Sequence, residues 1–318
     1  MPAITVTAPG KIILFGEHAV VYGRPAIAVP VSQVRARAVV SANPHGAPGD
    51  IYIQAPEVDL EARLADLPAE NPIALAISGV LVELGVARSP ACTLRVTSTI
   101  PVAAGLGSGA AVSVAIIRAF SAFLGKALPD ERVSALTYEV EKLHHGMPSG
   151  IDNTVVTYAL PVYFKRGEPI QILRSPVRFT MVIGDTGISS PTALAVSDVH
   201  RAWQENPASY EGLFDVVGQL SQAARRAIQS GQPDELGSLM DKNHACLQQM
   251  GVSSPELDHL VETARLAGAQ GAKLSGAGRG GNMIALVKEN IAPAIAQALL
   301  QAGAVRAIIT TVRPPRIH

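Results

Sequence analysis

Cysteine is scarce: only Cys92 and Cys246 occur, far apart and without Cys-x-x-Cys spacing. That argues against a disulfide scaffold or a zinc-thiolate centre, and both thiols read as core or half-buried groups in a reducing compartment. Net charge is also missing. The 26 basic and 26 acidic residues cancel, so a nucleic-acid protein held by bulk electrostatics is not expected. A local anion site built from backbone amides needs no net charge and stays open. No apolar stretch runs to ~18–20 residues without Gly, Pro or a charge, so no membrane-spanning helix is expected. The start, MPAITVTAPGK, has no basic segment followed by an apolar one, so no signal peptide and a soluble, cytoplasmic protein are expected. Low-complexity runs and internal repeats are absent as well.

What is present is a chain of 318 residues, 48% hydrophobic and 16% charged. That is enough for one large core or two ordinary domains. The first third reads mostly as strand: 4–8, then 11–15 after a break at Pro9-Gly10, then 26–31, 34–41 and 51–54. A helix is expected over 71–84, with Pro72 near its start. A strand at 93–99 leads into the loop 101–109 and a helix over 110–124. Another helix follows at 129–145, then strands at 153–158, 161–164 and 179–184. After Asp185 helical periodicity dominates: 192–205, 213–230, 234–250 and 255–267. Short strands at 272–274 and 283–287 flank a second Gly-rich loop, and a helix at 291–302 and a strand at 305–311 close the chain. The change of character places a domain boundary near residue 187, giving domains 1–187 and 188–318.

Four stretches carry chemistry. The loop Pro101–Ala110, with Ala104, Gly105, Leu106, Gly107, Ser108 and Gly109, runs straight into a small-residue helix. Such a turn aims backbone N–H groups and a helix N-terminus at one point, an arrangement that binds phosphate. It is neither a Walker A loop, because no Gly-Lys-Ser/Thr follows, nor a dinucleotide fingerprint, and on pattern alone it could be only a tight strand-to-helix turn. Pro9–Gly23 (PGKIILFGEHAVVYG) places Lys11, Glu17 and His18 among apolar residues on an expected strand pair. Charged groups there need a partner or a task. Glu141–Asn153 (EKLHHGMPSGIDN) offers Glu141 on a helix and Asp152 after a turn. One carboxylate can hold Mg²⁺ on nucleotide phosphates while another meets an acceptor hydroxyl; the alternatives are a surface Glu and a capping Asp. The adjacent His144 and His145 lack zinc-site spacing. Finally, Lys273–Asn282 (KLSGAGRGGN), with Ser275, Gly276, Ala277 and Gly278, implies close backbone approach between two strands.

Together these stretches resemble the GHMP small-molecule kinases over nearly the whole chain, and APGKIILFGEHAVVYGRPAIA and HGMPSGIDN are most similar to the members that act on mevalonate. The resemblance implies an α+β, two-domain fold: a ribosomal-protein-S5-like N-terminal domain (ATP-binding and catalytic), a ferredoxin-like C-terminal domain, and an active site in the cleft between them. It implies ATP on the loop Pro101, Ala104–Ala110, Mg²⁺ held by Glu141 with Ser108, and Asp152 and Lys11 as catalytic residues. Glu17, His18 and Thr192 would serve the substrate, and Ser275–Gly278 would form the C-terminal Gly-rich loop. The implied reaction is transfer of the ATP γ-phosphoryl group to the 5-hydroxyl of (R)-mevalonate, on the route to isoprenoids, by a homodimer using no nucleic acid and no membrane. Two departures stand out. The family loop usually reads GLGSSAA and its second serine supplies a Mg²⁺ ligand, where this chain has Gly109. The last loop is usually a run of glycines, which Arg279 interrupts here. Alternatives are a kinase of phosphomevalonate, or of mevalonate at its 3-hydroxyl, and a non-catalytic nucleotide-binding homologue.

Overall fold

The computed structural model describes residues 3–101, 104–145, 148–189 and 192–314, with the side chains of His144 and His145 outside the description. Two compact units emerge: one of Met1–Gly10, Val34–Pro101 and Leu106–Ala159, the other of Lys11–Gln33, Val102–Gly105 and Leu160–His318. Both draw on the first two strands, β1 (Ile4–Phe15) and β2 (Ala26–Ala42), which pair with each other.

In the first unit, β2 from Val34 onward alternates buried Val34, Ala36, Ala38 and Val40 with more open Arg35, Arg37 and Val39, the mark of a half-covered strand. Next come β3 (Ile51–Ala55), β4 (Leu60–Arg63), α1 (Pro72–Leu84) and β5 (Cys92–Ser98). The β5 strand pairs antiparallel with β2 and parallel with β3, and β4 closes the edge against β3. Asn71 caps α1, its side chain accepting from Ile73 N and Ala74 N, with Pro72 in the first turn. This is a strong helix start. Three helices follow: α2 (Ser108–Phe123), α3 (Asp130–His145) and α4 (Ile151–Tyr158). The α2 helix buries Ala110, Ala111, Val114, Ala115, Ile117 and Phe120 and packs against α1, α3 and α4. Its small residues let the neighbouring elements approach closely.

Three strand expectations in this half need correction. Pro9-Gly10 does not break the first strand. Both residues are buried inside β1, whose only partner among the described residues is β2, so an edge position tolerates the N–H that Pro9 lacks. Likewise the strands expected at 26–31 and 34–41 are one continuous strand, β2. The stretch 153–158 is helix, not strand. Its β-branched residues favour a strand locally, but packing on α2 and α3 overrides that preference. Asn153 Nδ2 donates to Ser134 O (3.1 Å) and Oγ (2.9 Å) on α3, and Thr154 Oγ1 donates back to Gly150 O (2.8 Å).

The second unit adds β6 (Val162–Phe164) and β7 (Gln171–Ile172), with β6 pairing with Ala26–Ala28 of β2. Its main sheet is built from β8 (Phe179–Asp185), β9 (Gly271–Ser275), β10 (Asn282–Val287) and β11 (Arg306–Val312). They lie in the order β11-β8-β10-β9 with antiparallel neighbours, the strand order of a ferredoxin-like sheet. Helices α5 (Thr192–Glu205), α6 (Pro207–Ser230), α7 (Leu236–Gln249), α8 (Pro255–Leu266) and α9 (Ala292–Gln301) complete it. The α7 and α8 helices lie on β9 and β10, and α9 lies on β8 and β11. This explains why β8 and β10 are buried along their whole length. The α6 helix starts earlier than periodicity suggests because Asn206 caps it and Pro207 opens it. Residues 19–22 form a 3-10 turn, not the second half of a strand pair.

Candidate active site

The first unit holds the helix end of the phosphate-loop candidate. Gly107 has φ 70 and ψ 36 and no side chain with which to cap α2. Ala111 N bonds Gly107 O at 3.0 Å, so the N–H groups of Ser108, Gly109 and Ala110 have no acceptor within the helix. They stand at the positive end of the α2 dipole, where an anion is stabilised. Leu106 is buried and Ser108 half-buried. Gly10 of β1 lies under the loop: a Cβ there would stand 3.0 Å from Leu106 O. A side chain there would press on the loop backbone, which would have to give by a few tenths of an ångström.

Glu141, on α3, is 4% exposed, and its Oε1 lies 3.4 Å from where a Gly109 Cβ would begin. The sequence-predicted metal-holding residue and the departure from the family loop therefore meet at one place. Asp152 is the second residue of α4, half-buried, following Gly150 with φ 86. Its helix is held by Arg118, whose guanidinium donates to Asp130 Oδ1 (2.5 Å) and Thr157 O (2.7 Å). Tyr138 OH donates to Pro148 O (3.2 Å), fixing the chain just before the turn. Of the HGMPSGIDN motif, Gly146 and Met147 lie outside the described residues, as do the His144 and His145 side chains.

The second unit holds the remaining candidates. Lys11 is buried at 9% exposure on β1. Ala104 O accepts from Asn282 Nδ2, and Asn282 Oδ1 is buried with no hydrogen-bond partner among the described residues. Glu17 is buried against Lys273, which is 0% exposed. The Lys273 ammonium meets Glu17 Oε1 and donates to Leu274 O (2.7 Å), while Asn243 Nδ2 donates to Glu17 Oε2 (3.4 Å). Burial lowers the Lys273 pKa, opposed by the Glu17 charge. His18 has φ 59 and ψ −51, and Ala19 N bonds Glu17 O at 2.6 Å. That is a γ-turn of the rare, strained hand. Its imidazole Nε2–H donates to Ala277 O (2.9 Å), and burial lowers its pKa.

The C-terminal Gly-rich loop is thus fastened to the Gly16-Glu17-His18 motif. Ser275 Oγ also donates to Ile13 O (2.7 Å). Gly278 has φ 79, and a Cβ there would lie 1.9 Å from Val252 O, so no other residue fits. Arg279 bonds to Asp198 of α5, whose pKa it lowers. Thr192 opens that same helix and is exposed, next to Ser190 and Pro191, which lie outside the described residues.

Sequence reasoning missed Lys273, Asn243 and Asn282. Lys273 did carry a signal, a lone charge between apolar residues in a strand, which burial permits only with a partner. Asn243 and Asn282 carried none, since their partners are 226 and 178 residues away.

Residues 72–159 match the model of the GHMP kinases N terminal domain, and residues 224–305 that of the GHMP kinases C terminal. The chain belongs to the GHMP kinase family, has its two-domain α+β fold, and is a kinase. Within that family, the mevalonate kinase of Pyrococcus horikoshii is 38% identical over 304 residues, covering 89% of this chain and 88% of that protein. The crystal structure of the L. major mevalonate kinase in complex with R-mevalonate has a TM-score of 0.83 and 33% identity, over 98% of this chain and 97% of that one. The Methanococcus jannaschii mevalonate kinase structure has a TM-score of 0.84 and 25% identity, over 99% of both chains. Among the described residues no helix is long and apolar enough to cross a membrane.

Proposed function

We propose that this protein transfers the γ-phosphoryl group of ATP to the 5-hydroxyl of (R)-mevalonate. The observation that carries the reading is the junction of Gly109 and Glu141: an uncapped helix N-terminus bordered by a buried carboxylate, with Oε1 3.4 Å from the Gly109 Cβ position. The named relatives support mevalonate as the acceptor.

Phosphoryl transfer needs positioning and charge neutralisation more than covalent chemistry. The amides of Ser108, Gly109 and Ala110 receive the phosphates, and the Ser108 hydroxyl adds a contact, with Pro101 and Ala104–Gly107 completing the loop. Mg²⁺ is ordinarily held by one or two carboxylates together with substrate phosphates. Glu141 fits that role by its donor chemistry and its place at the helix end; Mg²⁺ there supplies charge neutralisation on the triphosphate. Lys11 stabilises charge on the transferring group. Asp152 takes, or eases the loss of, the acceptor hydroxyl proton. Glu17, His18 and Thr192 serve the acceptor, and Ser275–Gly278 form the C-terminal Gly-rich loop.

In the same reading, residues 1–187 serve as the ATP-binding and catalytic domain and 188–318 as the C-terminal domain of a cytoplasmic homodimer. The deciding experiment is coupled ADP release with mevalonate, phosphomevalonate, galactose and homoserine. Turnover confined to mevalonate supports the proposal. Turnover with phosphomevalonate alone, or ATP binding without turnover on any acceptor, overturns it.

A further inference from the structure

Segments 13–18 and 273–277 are bonded at three places: Ser275 Oγ to Ile13 O, Lys273 to Glu17, and His18 to Ala277 O. Two features of this contact are costly. Lys273 and Glu17 form an ion pair at 0% and 4% exposure, and a well-packed apolar pair in such a place is often as stable or more so. Directly beside it lies the His18 γ-turn, at φ 59 and ψ −51, a conformation that persists only where the surroundings over-determine it. Stability accounts for neither feature. Both are accounted for if they fix one geometry. Glu17 has each carboxylate oxygen held, by Lys273 and by Asn243. The β9 backbone that carries Lys273 is itself pinned, because Leu274 N donates to His244 Nδ1 (3.3 Å).

We propose that Lys273 is a positioning residue for the acceptor side of the reaction: by gripping Glu17 it holds the His18 γ-turn and the Ser275–Gly278 loop in a single arrangement. The proposal rests on the reading of Glu17 and His18 as residues that serve the acceptor. It predicts that loosening the grip harms acceptor binding more than ATP binding.

The test uses the full chain with Lys273→Met and Lys273→Gln, each assayed at a temperature where circular dichroism shows it folded. A merely structural role would reduce the active fraction, lowering kcat and leaving both KM values alone. The expected result for Lys273→Met is an acceptor KM raised by about tenfold or more, the scale of a small misplacement, with the ATP KM within about twofold. Lys273→Gln keeps an N–H donor toward Glu17 and should recover most of the acceptor KM. If Lys273→Met does not fold, Asn243→Leu, which releases the other oxygen of Glu17, is read by the same split, with a smaller rise in acceptor KM expected. An unchanged acceptor KM in the folded variant, or an equal rise for ATP, overturns the proposal. The acceptor used is whichever the wild-type protein turns over in the panel above. A wrong acceptor is therefore exposed by the wild type, and a wrong role for Lys273 by the variants.

Discussion

Gly109→Ser is the perturbation for which the structure makes the fullest prediction. The residue lies in the first turn of α2, and among the described residues a Cβ there meets only Glu141 Oε1, at 3.4 Å. That is ordinary contact, so serine enters without displacing anything. Replacing glycine in a helix gains about 0.3–0.5 kcal/mol from the smaller backbone entropy loss. For a chain of this size that is a rise in Tm of about 0.5–1 °C. The new hydroxyl stands one bond further out, within reach of the Glu141 carboxylate and of any cation it holds. One charge-assisted hydrogen bond or one added oxygen ligand contributes about 1–2 kcal/mol, or about 5- to 30-fold in half-saturating Mg²⁺. The assay is ADP release titrated with Mg²⁺ at fixed ATP, alongside thermal melting followed by circular dichroism. A lower Mg²⁺ midpoint with an equal or higher Tm is expected. An unchanged midpoint refutes the placement of Mg²⁺ beside Gly109, and a lowered Tm refutes the claim that the site has room.

Other outcomes follow from the same geometry. Glu141→Gln should raise the Mg²⁺ midpoint by about tenfold or more, since a charged ligand is replaced by a neutral one; an unaltered titration removes Glu141 from the metal site. Asp152→Asn should cut kcat by about 10²–10⁴-fold while the ATP KM stays within about twofold; unchanged turnover removes Asp152 from the chemistry. His244 is buried and neutral, bonded through Nε2 to Asp258 Oδ1 at 3.1 Å, and desolvation lowers its pKa to about 4 from 6.5. The unfolded chain therefore binds the extra proton first. Its contribution is fully present above pH 6.5 and is lost as pH falls toward 4, at most about 3 kcal/mol. Urea denaturation of the wild type and His244→Asn between these pH values should show a flatter pH dependence in the variant, and parallel curves would contradict the assignment.

Much of this was legible in the sequence, and the remainder has identifiable physical reasons. Pro72 and helical spacing announced α1 because a proline in the first turn is a local signal, while the Asn71 cap emerged only in the structure. The loop before α2 was legible for the same reason: glycine at φ 70 next to a small-residue helix is a local pattern. The α4 helix was not, because its β-branched residues are held helical by Ser134 and by packing on α2 and α3. Nor was the continuity of β1 through Pro9-Gly10, which depends on which edges are paired. Among the site residues, Glu141 and Gly109 could each be singled out, but their meeting across two helices is a tertiary fact. The partner of Glu17 lies 256 residues along the chain, beyond any local pattern. Arg279, an interruption in a glycine run, gained a meaning only from Asp198 on α5.

The central claim is that the 5-hydroxyl of mevalonate receives the phosphoryl group. Phosphorus NMR of the product formed from ATP, Mg²⁺ and (R)-mevalonate tests it most directly. A phosphomonoester signal split into a triplet by the C5 methylene protons is predicted. An unsplit phosphomonoester signal, as a phosphate on the tertiary 3-hydroxyl would give, or no new phosphomonoester at all, would contradict it.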